Sequence, residues 1–220
     1  MQYPDWDRFD YDPLEDEDLL VPLIEDFLRE PPSEPDGWRR ILRRYPKKGG
    51  GFFSKSEIIA GFRALHARHE WALSEAEFLG MVKKKPARTQ SGVAPVTVLT
   101  KPYPCPGQCI FCPNDVRMPK SYLAEEPGAQ RAANNQFDPY AQTFNRLLAF
   151  HRMGHPVDKV ELIVLGGTWS SYPRHYQIYF VTRCFDAIND FDGAEDPQPF
   201  VATPTEQPDF RGLEFETSMT

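Results

Sequence analysis

The stretch Lys101-Pro-Tyr-Pro-Cys105-Pro-Gly-Gln-Cys109-Ile-Phe-Cys112-Pro113 decides how this chain is read. Three of the four cysteines lie in it, spaced C-x3-C-x2-C. Thiolates are soft ligands and select iron–sulfur clusters, zinc or copper(I). A 4Fe–4S cluster ordinarily takes four cysteines. Three would leave one iron with an open position, as a catalytic metal has and a structural one lacks. Two other uses stay open. A structural zinc wants a fourth ligand close by, usually in a second C-x2-C or H-x3–5-H pair, and none follows. Redox-active thiols are the other use. Cys184 stands apart in the apolar run Tyr179–Ile188 and reads as buried core. A disulfide framework does not suit four cysteines in 220 residues, three of them crowded together and with no leader-like segment before them.

Outward from the cysteines, the flanking pattern alternates strand and helix. Residues 93–100 are apolar and β-branched and predict a strand running into the cysteine loop, with Pro95 a blemish near its start. A helix is expected over 138–152, capped by Asp138 with Pro139 in its first turn. A second strand over 159–165 ends in Gly166-Gly167-Thr168, a second helix covers 173–191, and 212–217 reads as a third strand. Such alternation implies parallel βα units, whose ligands gather at the carboxyl ends of the strands. The cysteine loop and the Gly-Gly-Thr turn both lie at such ends, so they should meet. Glycines there expose backbone groups and let a ligand approach closely.

The first 85 residues read differently. Residues 1–18 are acidic and aperiodic, and are expected to form a flexible tail. Leu19, Leu20, Leu23, Ile24 and Phe27 recur at helical spacing. Ser54 with Glu57 makes a capping box ahead of Ile58, Ile59, Phe62 and Leu65. Ser74 caps a further helix carrying Phe78, Leu79 and Val82. Basic residues cluster at Arg39, Arg40, Arg43, Arg44, Lys47 and Lys48, and again at Lys83, Lys84, Lys85 and Arg88. They form either a solvated helix face or a surface for RNA phosphates, which basic side chains bind with little sequence preference. Trp38 and Tyr45, interleaved among them, could stack on unpaired bases.

The formal net charge of -7 does not suggest a nucleic-acid binder on average, but a local basic stripe is what touches phosphate. No apolar run approaches the roughly 18 residues of a membrane span, so no membrane partner is expected. A cytoplasmic, reducing location is expected, which an oxygen-sensitive cluster also requires. Composition, 40% hydrophobic and 13% aromatic, is enough for a packed core. The 22 prolines concentrate in linkers at 31–35 and 197–208.

The C-x3-C-x2-C spacing resembles the signature loop of radical S-adenosylmethionine (SAM) enzymes. Further stretches narrow the resemblance: Lys85-Pro86-Ala-Arg88-Thr89-Gln-Ser91-Gly92, Ser121-Tyr-Leu-Ala-Glu-Glu126-Pro127-Gly-Ala-Gln-Arg131, Phe137-Asp138-Pro139-Tyr140, Gly154-His155-Pro156-Val-Asp158-Lys159-Val-Glu161 and Val164-Leu-Gly166-Gly167-Thr168. Together they resemble the family of Elongator catalytic subunits, over about residues 80–190. Many members of that family have a longer gap between the first two cysteines; here it is the general radical SAM spacing.

The resemblance implies an α/β fold, a partial radical SAM (βα) barrel preceded by a small helical amino-terminal domain. It implies that Cys105, Cys109 and Cys112 hold a 4Fe–4S cluster, that SAM meets Gly166, Gly167 and Thr168, and that Lys159 contacts acetyl-CoA as co-substrate. Without the family, Lys159 reads as an exposed lysine at a strand start. The implied reaction is carboxymethylation of the wobble uridine of tRNA at C5, by a 5′-deoxyadenosyl radical that activates the acetyl methyl. tRNA and an electron donor are the implied partners, and a homo-oligomer is compatible with the pattern. The expected organisation is a tail over 1–18, a tRNA-binding helical domain over 19–88 and an incomplete radical SAM domain of about three βα units over 89–220. The family's acetyltransferase domain has no counterpart in the chain, so the isolated chain is expected to be a truncated form, inactive alone. The alternatives are a non-catalytic tRNA-binding or assembly module, or a radical SAM enzyme with another substrate.

Overall fold

The computed structural model describes residues 11–191 apart from 33, 84–88 and 114. The expected third strand, residues 212–217, lies outside them, as do Lys84, Lys85 and Arg88. The fold is α/β. In chain order the described elements are α1 (Glu17–Arg29), α2 (Pro35–Leu42), α3 (Lys55–His69), α4 (Glu75–Val82), β1 (Ala94–Leu99), α5 (Pro127–Asn134), α6 (Pro139–Arg152), β2 (Val160–Leu165) and α7 (Arg174–Asp190). The chain divides into two compact units. One comprises Met1–Pro95 with Leu148–Glu161, the other Val96–Leu147 with Leu162–Thr220.

In the first unit, the apolar residues that recur every three or four positions turn inward. Leu20, Leu23, Ile24 and Phe27 of α1 meet Ile58, Ile59, Phe62 and Leu65 of α3 and Phe78 and Val82 of α4, all buried. The rings of Phe62 and Phe78 stack at 4.0 Å. Burying each such side chain contributes about 1.5–3 kcal/mol, so this cluster is the main source of the unit's stability. Both capping boxes form. The Ser54 hydroxyl accepts the Glu57 amide at 3.2 Å, while the Glu57 carboxylate accepts the Ser54 amide at 2.7 Å. Ser74 and Glu77 repeat the exchange. Each box satisfies two of the amides that a helix start leaves unpaired.

Only residues 11–18 of the expected tail are described, and they are anchored. Tyr11 packs edge-on to Phe53 at 6.4 Å, and its hydroxyl donates to Asp16 at 3.3 Å. An aromatic ring with an apolar neighbour to cover outweighs the surrounding acidity. Also in this unit, the chain leaves α6 through Gly154, whose φ of +76° suits glycine. A Cβ there would come within 2.6 Å of Leu79. His155 beyond it is buried, its Nδ1 2.9 Å from the Thr89 hydroxyl.

β1 and β2 form a two-stranded sheet. The Ala94 amide reaches the Lys159 carbonyl and the Thr100 amide the Leu165 carbonyl, so the strands are parallel. In the second unit the other edge of β1 is satisfied by a side chain. The buried amide of Gln142 accepts from the Leu99 amide and donates to the Leu99 carbonyl, both at 2.9 Å. That pair does at one residue what a neighbouring strand would do. Leu99, Met118, Ala129 and Ala132 make a small core here, and Tyr176, Phe180, Cys184 and Ala187 are the buried face of α7.

Candidate active site

The cysteine loop follows directly from the carboxyl end of β1. Pro102, Pro104 and Pro106 restrict its backbone, and a turn from the Cys112 amide to the Cys109 carbonyl closes its far end. All three thiols are free. The Gly107 amide donates to the Cys105 sulfur at 3.4 Å. A Cβ on Gly107 would lie 3.5 Å from the sulfur of Cys105 and 3.7 Å from that of Cys109, so both thiols border the space this glycine leaves empty. The Cys112 sulfur lies 3.5 Å from the Ser121 hydroxyl. Ser121 itself has φ of +80°, an uncommon backbone for a residue with a Cβ. Among the described residues no three His, Cys, Asp or Glu side chains converge closely enough to hold a metal ion. The donor set nevertheless suits an iron–sulfur cluster: three free thiols on one open loop, two of them bordering one glycine. Ile110 and Phe111, between Cys109 and Cys112, are 89% and 92% exposed, so this side of the loop is uncovered.

The Gly-Gly-Thr turn follows from the carboxyl end of β2, and the two loops meet as the strand pattern predicts. The Thr168 hydroxyl is 3.3 Å from the Cys105 sulfur. That bond, then the Gly107 amide, holds the Cys105 thiol below its ordinary pKa, because both stabilise the thiolate. Gly166 allows the close approach. A Cβ there would lie 2.1 Å from the Thr100 hydroxyl oxygen. At Gly167 it would lie 3.4 Å from the Lys120 Cβ and 3.9 Å from the Cys105 Cβ. Lys120 and Ser121, which thus border the site, are not among the site residues expected from the sequence, although Ser121 opens one of the stretches that carry the resemblance. The loop that carries them has no period.

Cys184 is buried, and burial pushes its thiol up to about 11. It is the core residue its apolar surroundings suggest. Lys159 is exposed at the start of β2, within the first unit.

The basic residues of the first unit divide into two groups. Arg39 pairs with Asp36 at 3.2 Å, Arg40 with Glu30 at 3.2 Å and Lys48 with Asp18 at 2.7 Å, all exposed. Such pairs are weak and exchange readily with other anions. Arg43 is exposed as well. Lys83 lines a cleft with Arg63, His151 and Asp158. Arg44 and Lys47 are committed to structure instead. Arg44 bonds the buried Asp26 at 3.0 Å, and Lys47 pairs with Glu57, itself part of a capping box. Trp38 lies against Phe27 at 4.5 Å, with the Lys55 ammonium 4.0 Å above its ring. Tyr45 packs on the same core and donates to Asp26. Both rings are used in packing rather than held out for stacking on bases.

No family model matches the chain. Individual proteins do. The tRNA uridine(34) acetyltransferase of Dehalococcoides mccartyi is 50% identical over 106 residues, 48% of this chain and 23% of that protein. Its namesake in Methanocaldococcus jannaschii is 40% identical over 159 residues, 69% of this chain and 28% of that protein. Its relatives are tRNA uridine(34) acetyltransferases and Elongator complex protein 3. The human Elongator complex protein 3 is 40% identical over 119 residues, 49% of this chain and 22% of that protein. The chain thus spans about a quarter of the length of the curated relatives it matches.

Proposed function

We propose that the chain contributes the cluster-bearing and tRNA-binding portion of an enzyme that modifies uridine 34 of tRNA. The observation that carries this reading is the approach of Thr168 to Cys105, which sets a three-thiol loop against a Gly-Gly-Thr turn at the carboxyl ends of two parallel strands. The names of the relatives supply the substrate and the reaction class, acetyl transfer to uridine 34 of tRNA.

In this reading β1, β2 and the helices after them belong to a radical SAM (βα) barrel, and α1–α4 to a helical tRNA-binding domain. Cys105, Cys109 and Cys112 hold a 4Fe–4S cluster, whose chemistry when bound is one-electron reductive cleavage of SAM. Gly166 and Gly167 present bare backbone to SAM, and Thr168 stabilises the Cys105 thiolate. Lys159 offers a cation to acetyl-CoA, and 5-carboxymethyluridine is the product. Arg39, Arg40, Arg43, Lys48 and Lys83 meet tRNA phosphates. An external electron donor and a reducing, cytoplasmic setting go with such a site. Among the described residues no helix is long and apolar enough to cross a membrane.

Anaerobic reconstitution with iron and sulfide tests the reading. About four irons per chain are expected, with absorbance from a thiolate-held cubane. Ala at Cys105, Cys109 or Cys112 abolishes uptake, and Cys184→Ala does not. Stoichiometric zinc without iron uptake overturns it. Mass spectrometry of nucleosides from tRNA incubated with SAM, acetyl-CoA and reductant reads the product, and none is expected from the reconstituted chain by itself, which contributes only a portion of the enzyme.

A further inference from the structure

The cysteine loop is aperiodic and exposed, so something must fix its register against the Gly-Gly-Thr turn. We propose that Tyr172, just ahead of α7, and Tyr176, in its first turn, are positioning residues whose hydroxyls hold the cysteine loop to the segment that follows the Gly-Gly-Thr turn. The proposal rests on the reading of those loops as one site.

A phenol hydroxyl can both donate and accept, and Tyr172 does both. It donates to the Lys101 carbonyl at 3.0 Å. It bonds the Thr100 hydroxyl at 2.7 Å, accepting the proton that Thr100 has free. Tyr172 itself stands four positions after Thr168, and its amide reaches the Trp169 carbonyl at 3.1 Å. Its one buried oxygen therefore ties the segment that follows the Gly-Gly-Thr turn to the end of β1 and the first residue of the cysteine loop. Tyr176 adds a second grip on the same residue, its hydroxyl accepting the Lys101 amide at 2.9 Å. Lys101 is thus held by both its amide and its carbonyl, four positions ahead of Cys105. Its ammonium lies 4.7 Å over the Tyr176 ring, and Tyr103 packs on Tyr172 at 5.0 Å. Gly166 belongs to the same arrangement, since any Cβ there would push Thr100 away from Tyr172.

An apolar residue would fill the same core space as either tyrosine. What a tyrosine adds is the oxygen, and the two oxygens bond Thr100 and Lys101. A buried hydroxyl so satisfied cannot be lost without leaving backbone groups unpaired. The geometry thus separates two duties of this segment: the apolar face of α7 packs, and the hydroxyls of Tyr172 and Tyr176 set where Cys105 meets Thr168.

Amide hydrogen exchange on the chain without iron reads the clasp. In Tyr176→Phe the Lys101 amide exchanges about tenfold faster, the effect expected for one lost hydrogen bond. In Tyr172→Phe, which releases the carbonyl of the same residue, it exchanges several-fold faster. Tyr140→Phe, which loses a bond to Asp190 at the far end of α7, leaves it unchanged. Thr100→Val removes the Tyr172 contact from the other side and guards against a Tyr172 variant that fails to fold. Unchanged exchange overturns the clasp, whatever the chain's function. With iron bound, Tyr172→Phe is expected to release it to a chelator several-fold faster and to lose much of the change that SAM causes in the electron paramagnetic resonance spectrum. Wild-type behaviour in both, with exchange raised, overturns the positioning role. A wild-type chain that takes up no iron overturns the functional reading, and the exchange comparison still decides the clasp.

Discussion

The Thr168 hydroxyl lies 3.3 Å from the Cys105 sulfur, although 63 positions of sequence separate the two residues. Each stands in a loop that follows one of two adjacent parallel strands, so the sheet converts a long sequence separation into direct contact. That contact gives one thiol of the three an environment of its own, and its consequences can be measured before any iron is added.

In the iron-free chain, iodoacetamide is expected to alkylate Cys105 at lower pH than a free thiol, since the Thr168 hydroxyl and Gly107 amide stabilise its thiolate. Thr168→Val moves that profile to higher pH. Cys184, buried and raised to about 11, stays unmodified in the folded chain. Peptide mass spectrometry across pH 6–10 reads all three, and an unmoved Cys105 profile in Thr168→Val refutes the assignment.

Gly166→Ala is expected to destabilise the chain by about 1–3 kcal/mol, the usual cost of forcing atoms into a filled site. The new methyl would meet the Thr100 oxygen. Adding Thr100→Ala opens space but removes a Tyr172 partner, so the double variant recovers only part of the loss. Urea denaturation of the four proteins gives the coupling. Full additivity would mean that the two positions do not touch.

Asp26 is buried and accepts from Tyr45 at 2.8 Å, Arg44 at 3.0 Å and Arg29 at 3.0 Å. These bonds, Tyr45 first, hold its carboxyl below the ordinary value. A depressed folded value contributes stability above the unfolded pKa, near 3.9. That contribution is lost as pH falls through the folded value. Asp26→Asn is therefore expected to cost about 1.5–3 kcal/mol at neutral pH, as for a hydrogen-bonded charge. Less of the variant's stability should disappear below pH 4. A urea midpoint in Asp26→Asn that falls as steeply with acid as the wild type's would argue against it.

tRNA affinity is expected to fall steeply with salt, because phosphate contacts release counterions. Reversing Arg39, Arg40 and Lys83 to Glu weakens binding of all tRNAs alike and leaves the melting temperature within a few degrees. Reversing Arg44 or Lys47 acts the other way round, lowering stability first, because each neutralises a buried or capping carboxylate. Filter binding from 50 to 300 mM salt beside thermal melts separates the two groups. A triple variant that binds like wild type excludes this surface.

The elements legible in the sequence are those with a period or a cap. Ser54 and Glu57 mark the start of α3 because a capping box is local chemistry, complete within four residues. β1 and β2 follow from their β-branched runs, and the meeting of their loops from parallel connection. The helix α5 is not anticipated. Its buried residues are Ala129 and Ala132, too small to make an apolar stripe, and only Pro127 at its first position signals it. The roles of Tyr172 and Tyr176 are equally invisible. Tyr176 reads as an apolar position of α7 and Tyr172 belongs to no pattern, and their hydroxyl partners stand 71 to 75 residues earlier. Basic residues are legible as charges, but whether each is free for RNA depends on which carboxylate folding brings near. Arg44 and Arg40 look alike in sequence and differ because only Asp26 is buried.

The clasp on Lys101 also has a place in time. A ribosome adds about 5–20 residues each second, so Cys105, Cys109 and Cys112 are synthesised some seconds before Tyr172 and Tyr176 exist. Until α7 has left the exit tunnel, nothing holds the Lys101 amide or carbonyl, and the thiol loop is loose chain. The nascent protein therefore passes through an interval in which its three thiols are unguarded, whereas any metal that arrives after α7 has folded meets a loop already set. The thiols would be most open to oxidation in that interval, during translation rather than after it.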